Sequence, residues 1–329
     1  MAVEIIAEIA QGYEGDPALA RRLAQAAVRA GADAVKFQLV IADELATPDY
    51  EHYALFRRLE MPREAWRQVM ADVRQGGARC YLDVFGEQSL REAHALGADG
   101  IKIHSTDFFN TDLIRLALEL APRIFLSLGG ILAGELEECL RVHRIRPEGP
   151  VCLMYGFQAD PTPLDLNHLA RLGALRARFP GYRMGFMDHT DGAMDEAMTL
   201  ALLALPYGVV CLEKHLTLDR ALKLEDFISA LEPEPFGRFV QRVRRLEPAI
   251  GTDRLELTDA ERAYRRKTVK AVVARRTLKR GDVIGTGDLA LKRTAHAGSS
   301  VYQRLEEVVG RAMAVDVQPN EPLTQEMLA

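Results

Sequence analysis

The stretch Cys211-Leu-Glu-Lys-His-Leu-Thr-Leu-Asp219 begins as an apolar run and then sets Glu213, Lys214 and His215 in succession. Side chains alternate along a strand, so Glu213 and His215 would share one face and Lys214 the other. A second histidine, His189, stands between Asp188 and Thr190 at the end of another apolar run. Two imidazoles on neighbouring strands can hold a divalent transition metal, with water and a carboxylate completing the shell. Two hydrogen-bonded structural histidines are the alternative. Lys36 and Lys102 each lie inside an apolar run, where an unpaired ammonium is costly. An anionic ligand would remove that cost, and Ser105, Ser127 and the amides of Gly129 and Gly130 would add donors to a phosphate or carboxylate. Pairing with a carboxylate such as Glu8 or Asp83 would also remove it. A Schiff-base lysine is a third possibility for any buried lysine of this kind.

The elements that must position these groups are eight apolar runs, at 3–10, 34–40, 78–85, 100–105, 123–130, 151–157, 183–189 and 208–216. Their lengths and β-branched content suit buried strands. Amphipathic helical patterns lie between them. The first has Asp16 as N-cap, Pro17 at the first helical position and Gly31 at the far end. Eight strand–helix units in residues 1–251 imply an α/β (β/α)8 barrel. A doubly wound open sheet is the rival, and its dinucleotide version lacks the GxGxxG fingerprint in the first turn. In such a barrel the chemistry collects at the C-terminal strand ends. Those ends bring Glu8 and Gln11, Lys36 and Gln38, Asp83, then Lys102, His104, Ser105 and Asp107. Ser127, Gln158 and Asp160, Asp188 and His189, and Glu213 and His215 follow. His104 is expected to face the helix layer. The long segment 47–62, with Tyr50, Tyr53 and Phe56, would be a lid or a small satellite core. Residues 252–268 form a charged linker with a helical turn or more. Residues 269–329 alternate short strands with tight turns, as a small β-rich domain would.

Composition excludes several function classes. The 42 basic and 47 acidic residues give a net charge of −5, against a nucleic-acid-binding surface. No run approaches a membrane span, and the N-terminus lacks the basic region of a secretory signal. Four scattered cysteines without a CxxC suit a reduced, cytoplasmic protein.

The motifs IIAEIAQGYEGD, AGADAVKFQ, KIHSTD, MDHTDG and EKHLTLD, in this order, resemble the sialic acid synthase family. The segment from AVVARRTLKRGDVIGTGDLALKR to VGRAMAVDVQPNEPL resembles the antifreeze-like (SAF) domain that follows that barrel. The resemblance implies condensation of phosphoenolpyruvate with the open-chain aldehyde of an N-acylated hexosamine, giving a nine-carbon 3-deoxy-2-ulosonic acid and phosphate. It implies a divalent metal on His189 and His215, usually manganese, with magnesium or cobalt as substitutes. Phosphoenolpyruvate would contact Lys36, Lys102, Ser105 and Ser127. Glu8, Gln38, Asp107 and Asp226 would lie near the sugar. Arg293 would reach over the barrel of a partner protomer in a domain-exchanged homodimer. Glu8, Lys36, Lys102, His189 and His215 would be the catalytic set, and Asp83, Gln158 and Asp188 would join the substrate-binding residues.

Several positions depart from the family pattern. Asp83, in YLDVFG, stands where a phosphate-facing threonine is usual, and Met187 replaces the serine before DHT. Gln158 and Asp160 replace the usual polar and tyrosine positions, and Arg293 is followed by Thr-Ala-His296 rather than the usual glycine-rich turn. An ionised Asp83 beside a phosphate is repulsive unless a lysine or metal lies between. Two further functions fit the residues: a metal-dependent aldolase or lyase acting on another 2-oxo acid, and a non-catalytic barrel that binds a sugar.

Overall fold

The computed structural model describes residues 2–295 and 301–329, so His296 lies outside the described residues. The chain divides into two compact units, Met1–Gly251 and Thr252–Ala329.

Eight parallel strands build the first unit. They are β1 (Glu4–Ala10), β2 (Ala34–Gln38), β3 (Arg79–Val84), β4 (Gly100–Ile103), β5 (Ile124–Ser127), β6 (Val151–Tyr155), β7 (Arg183–Asp188) and β8 (Cys211–His215). They pair in chain order and β8 returns to β1, closing a barrel. Their outward residues, such as Ile5, Val35, Leu82 and Leu212, pack in one core with the helix layer. The first helix, Pro17–Arg29, starts where the Asp16 carboxylate accepts from the amides of Ala18 and Leu19. It buries Leu19, Leu23, Ala24 and Ala27, and the chain then turns at Gly31 with φ +92°. Trp66 joins that core edge-on to Tyr13 and Phe37, with centroids 5.3 and 5.8 Å away. The crossover from β7 to β8 differs from the α-helical expectation: it runs as 3-10 segments, Asp195–Met198 and Leu200–Tyr207.

The barrel interior is filled in layers, as alternation requires. At the N-terminal end Glu4 accepts from the Tyr81 hydroxyl at 2.6 Å and pairs with Arg79 and Arg123, each at 2.6 Å. Above this plug Ile6, Ala34, Tyr81, Phe125, Cys152, Met154, Met187 and Cys211 form a separate buried cluster. Met187 is therefore an interior packing residue, opposite Glu213 in register. The next layer is ionic. Glu8 lies in register with Lys36 and His215, and Asp83 with Gln38 and Lys102.

In the second unit, β9 (Ala271–Ala274) pairs antiparallel with β10 (Leu289–Lys292). Val272, Leu278, Ile284, Leu289, Val308, Val317 and Leu323 belong to its own core. The segment read as a linker contains a ten-residue helix, Asp259–Thr268, opened by a capping box between Thr258 and Glu261. Among the described residues no helix is long and apolar enough to cross a membrane.

Candidate active site

The floor of the site is a buried ionic network. Lys36 Nζ contacts Glu8, lies 2.7 Å from Asp83 Oδ1 and 3.7 Å from Glu213 Oε2. Lys102 Nζ lies 2.7 Å from Glu213 Oε1 and 3.8 Å from Asp83 Oδ2. All five residues are at most 2 % exposed. The expectation of two ammonium groups waiting for an anion is therefore corrected. The cost of burying them is already offset by three carboxylates of the same barrel, which outnumber them. Burial pushes Lys36 below its ordinary value despite Asp83 and Glu213, and pushes Asp83 up despite Lys36. Burial works the same way on Lys102 and Glu213, but their close contact outweighs it. Lys102 is raised, and the charges of Lys102 and Lys36 hold Glu213 at about 2.

The histidine pair stands above this floor. The rings of His189 and His215 are 4.9 Å apart between centroids, inclined at 61°. Burial, aided by Lys102, lowers His189 to about 4; burial, aided by His189, takes His215 well below its ordinary range. Both rings are thus neutral, the form that ligates metal. Each also has a buried Nδ1 with no hydrogen-bond partner. Behind them Lys214 pairs with Asp188 at 3.3 Å and donates to the Thr190 carbonyl at 3.0 Å, all fully buried. Asp188 accepts from the Thr190 amide at 2.8 Å and does not reach the cavity. Its expected contact with substrate is corrected: it follows Met187 on β7 and so points outward by alternation.

A cavity of about 340 Å³ opens over the pair, lined by Glu8, Gln38, Lys102, His104, Ser105, Gly129, Gly130, Phe157, Gln158, Asp160, His189, Glu213, His215 and Asp226. Burial raises Asp226 to about 6, the Gln11 amide opposing and Asp160 and Glu225 assisting. Ser127 is fully buried and donates to Gln158 Oε1 at 2.9 Å, so it reaches the cavity only through Gln158. Lys36 and Asp83 do not line the cavity. Nor does Asp107, whose oxygens are taken by Thr106 at 3.1 Å and Asn110 at 3.0 Å. Arg293 is exposed on the C-terminal unit. No residue of 47–62 lines the cavity, and Tyr50 stacks on Phe56 at 6.0 Å as a satellite cluster does.

The sequence reading missed one wall of the cavity. His104 follows Lys102 by two residues, so alternation places both on the inner face; the expectation that it faces the helices is wrong. Its Nε2 is 3.2 Å from the Gln158 amide nitrogen. Glu213 was read as the face-mate of His215, but its contact with Lys102 crosses the barrel between β4 and β8, which spacing along the chain does not reveal.

Residues 23–254 match the NeuB family, and residues 269–329 match the SAF domain. This chain belongs to the NeuB family. It is 26% identical to an N,N'-diacetyllegionaminic acid synthase of Campylobacter jejuni, over 96% of this chain and 97% of that one. It is 25% identical to the human N-acetylneuraminate-9-phosphate synthase, over 98% and 92% of the two chains. Among solved structures, an N-acetylneuraminic acid synthetase of Leptospira borgpetersenii in complex with citrate superposes with a TM-score of 0.75. It has 25% identity and covers 82% of this chain and 93% of that one. In this NeuB-family barrel, then, the cavity and its histidine pair stand at the strand ends where barrel enzymes do their chemistry.

Proposed function

We propose that this chain joins C3 of phosphoenolpyruvate to the aldehyde carbon of an open-chain sugar, giving a 3-deoxy-2-ulosonic acid and inorganic phosphate. The observation that carries the reading is the pair of neutral imidazoles, His189 and His215, facing each other over a cavity that also exposes Lys102. The names of the relatives, synthases of sialic-acid-like sugars, support it.

Among the described residues no cluster of three His, Cys, Asp or Glu side chains is arranged around one metal position. Two imidazoles with unpaired buried nitrogens fit a cation completed by water and substrate oxygens. A divalent metal held by His189 and His215, manganese in the family's usual form, would supply Lewis-acid polarisation of the aldehyde oxygen. The remaining work falls to side chains. Lys102 opposes the charge of the donor. Asp226, protonated below about pH 6, holds a proton for the alkoxide formed when C3 attacks. Glu8 lines the cavity and accepts a proton from the water that adds at C2; phosphate then leaves as the C2–O bond breaks. Gln38 is held by Gln11 at 2.8 Å and presents an amide to the sugar hydroxyls. Arg293 of a partner protomer would cover the mouth in a domain-exchanged dimer.

Phosphate release on mixing with phosphoenolpyruvate, manganese and a panel of N-acylhexosamines tests the reading. Absence of turnover across hexosamines, pentoses and their phosphates overturns it. Asp83, pressed against both lysines, favours a second reading: aldol addition of an unphosphorylated 2-oxo acid. Pyruvate consumption without phosphate release would select that one.

A further inference from the structure

The carboxylate of Asp83 sits within 2.7 Å of Lys36 and 3.8 Å of Lys102, at the point an external anion would need in order to touch both. The seat between the lysines is filled from inside the barrel. Lys36 has no surface on the cavity, and Glu8 and Glu213 close its remaining directions. A phosphate or carboxylate entering from the mouth therefore finds Lys102 as the one ammonium of the floor that lines the cavity, beside the carboxylates of Glu8 and Glu213.

The wall above Lys102 has the opposite imbalance, a surplus of donors. The Thr106 amide faces His104 Nδ1 at 3.4 Å and the Gln158 amide nitrogen faces Nε2 at 3.2 Å, and a neutral ring accepts at only one of its two nitrogens. One of these two contacts is therefore donor against donor, while Gln158 Oε1 takes the hydroxyls of Ser127 at 2.9 Å and Ser105 at 3.2 Å. Rotating the Gln158 amide by half a turn pairs His104 with Oε1, but it frees both serine protons instead. In either arrangement donors remain without acceptors, on the edge of a cavity and beside an ammonium group. Gly129 permits the geometry, since a Cβ there would lie 2.5 Å from Gln158 Oε1.

We propose that the anion seat of this site is displaced from Lys36 to a wall made by Lys102, His104, Gln158 and Ser105, with Asp83 as the built-in anion that forces the displacement. The group received is a phosphate or carboxylate of the donor. The inference rests on the reading above that the donor is anionic, and it assigns to His104 a binding role that the family resemblance does not imply.

The test titrates the full chain, without added metal, with inorganic phosphate and separately with pyruvate, in wild type, His104→Ala and Asp83→Asn, with melting curves to confirm folding. Wild type binds at least one anion. H104A weakens that anion about tenfold, as expected for one charge-dense hydrogen bond. D83N, which reopens the floor, strengthens phosphate binding by a similar factor. Loss confined to phosphate in H104A places the phosphoryl group on the wall; loss of pyruvate places the carboxylate there. Failure of wild type to bind either anion, or affinity unchanged in H104A, overturns the proposal. Binding with no condensation on any aldehyde sinks the proposed reaction but not the seat. Condensation with the donor KM unchanged in H104A sinks the seat but not the reaction.

Discussion

Replacing Lys36 by methionine tests the ionic floor directly. The variant would leave Glu8, Asp83 and Glu213 buried against Lys102 alone, so three carboxylates would share one ammonium. Removing one partner of a buried ion pair costs about 3–5 kcal/mol, because the other charge stays uncompensated. Here the lost contacts are two close ones, to Glu8 and Asp83, and a weaker one at 3.7 Å to Glu213, which puts the expectation in the upper half of that range. With a urea slope of about 3 kcal/mol per molar for a domain of this size, the barrel's unfolding midpoint should fall by about 1–2 M. Lys36→Met combined with Asp83→Asn restores the wild-type charge balance. It should recover about 2 kcal/mol relative to the single variant, a coupling of the size seen between contacting groups. The measurement is a urea titration of all three proteins, followed by circular dichroism. A single variant within about 0.5 kcal/mol of wild type, or a double variant no better than the single, would refute the internal neutralisation.

Three further outcomes are expected. His189→Ala and His215→Ala should each abolish manganese binding, read by electron paramagnetic resonance of the free ion, while the melting temperature changes little; unaltered binding in either would remove the metal site. Asp226→Asn should stabilise the barrel at neutral pH. The folded-state value of about 6 lies above the ordinary 3.8, so wild-type stability falls as pH rises between them; the cost, at most about 3 kcal/mol, is complete above pH 6, and in the variant the slope should vanish. Gly129→Ala should raise the donor KM several-fold with little change in stability, because the new methyl meets the end of the Gln158 side chain.

How much of this was legible in the sequence follows from which geometry each feature needs. The barrel was, because eight buried runs with intervening amphipathic patterns leave few other closures, and the Asp16–Pro17 start of the first helix is a local signal. The convergence of His189 and His215 needed only alternation and adjacency of β7 and β8. His104 was within reach of the same rule, as its separation from Lys102 is two residues, and Asp188 could have been turned outward on the same ground. The state of the lysines was beyond reach. Asp83 meets Lys36 because Gln38 and Asp83 are in register on β2 and β3, and Lys102 meets Glu213 across the barrel lumen. Neither the register nor the diameter that sets the second contact is written in a one-dimensional pattern. Asp83 itself was visible as a departure, but whether it repelled a ligand or replaced one depended on those distances.

The plug of Glu4, Tyr81, Arg79 and Arg123 fills the N-terminal end of the barrel, so among the described residues the cavity is lined from the opposite strand ends. Under the reading proposed above, a donor bound against Lys102 would enter before an aldehyde that settles near Asp226 and would leave after it. The proposed reaction would then run in a fixed order, the three-carbon partner loading first and the aldehyde second, with excess aldehyde inhibiting by occupying the empty site.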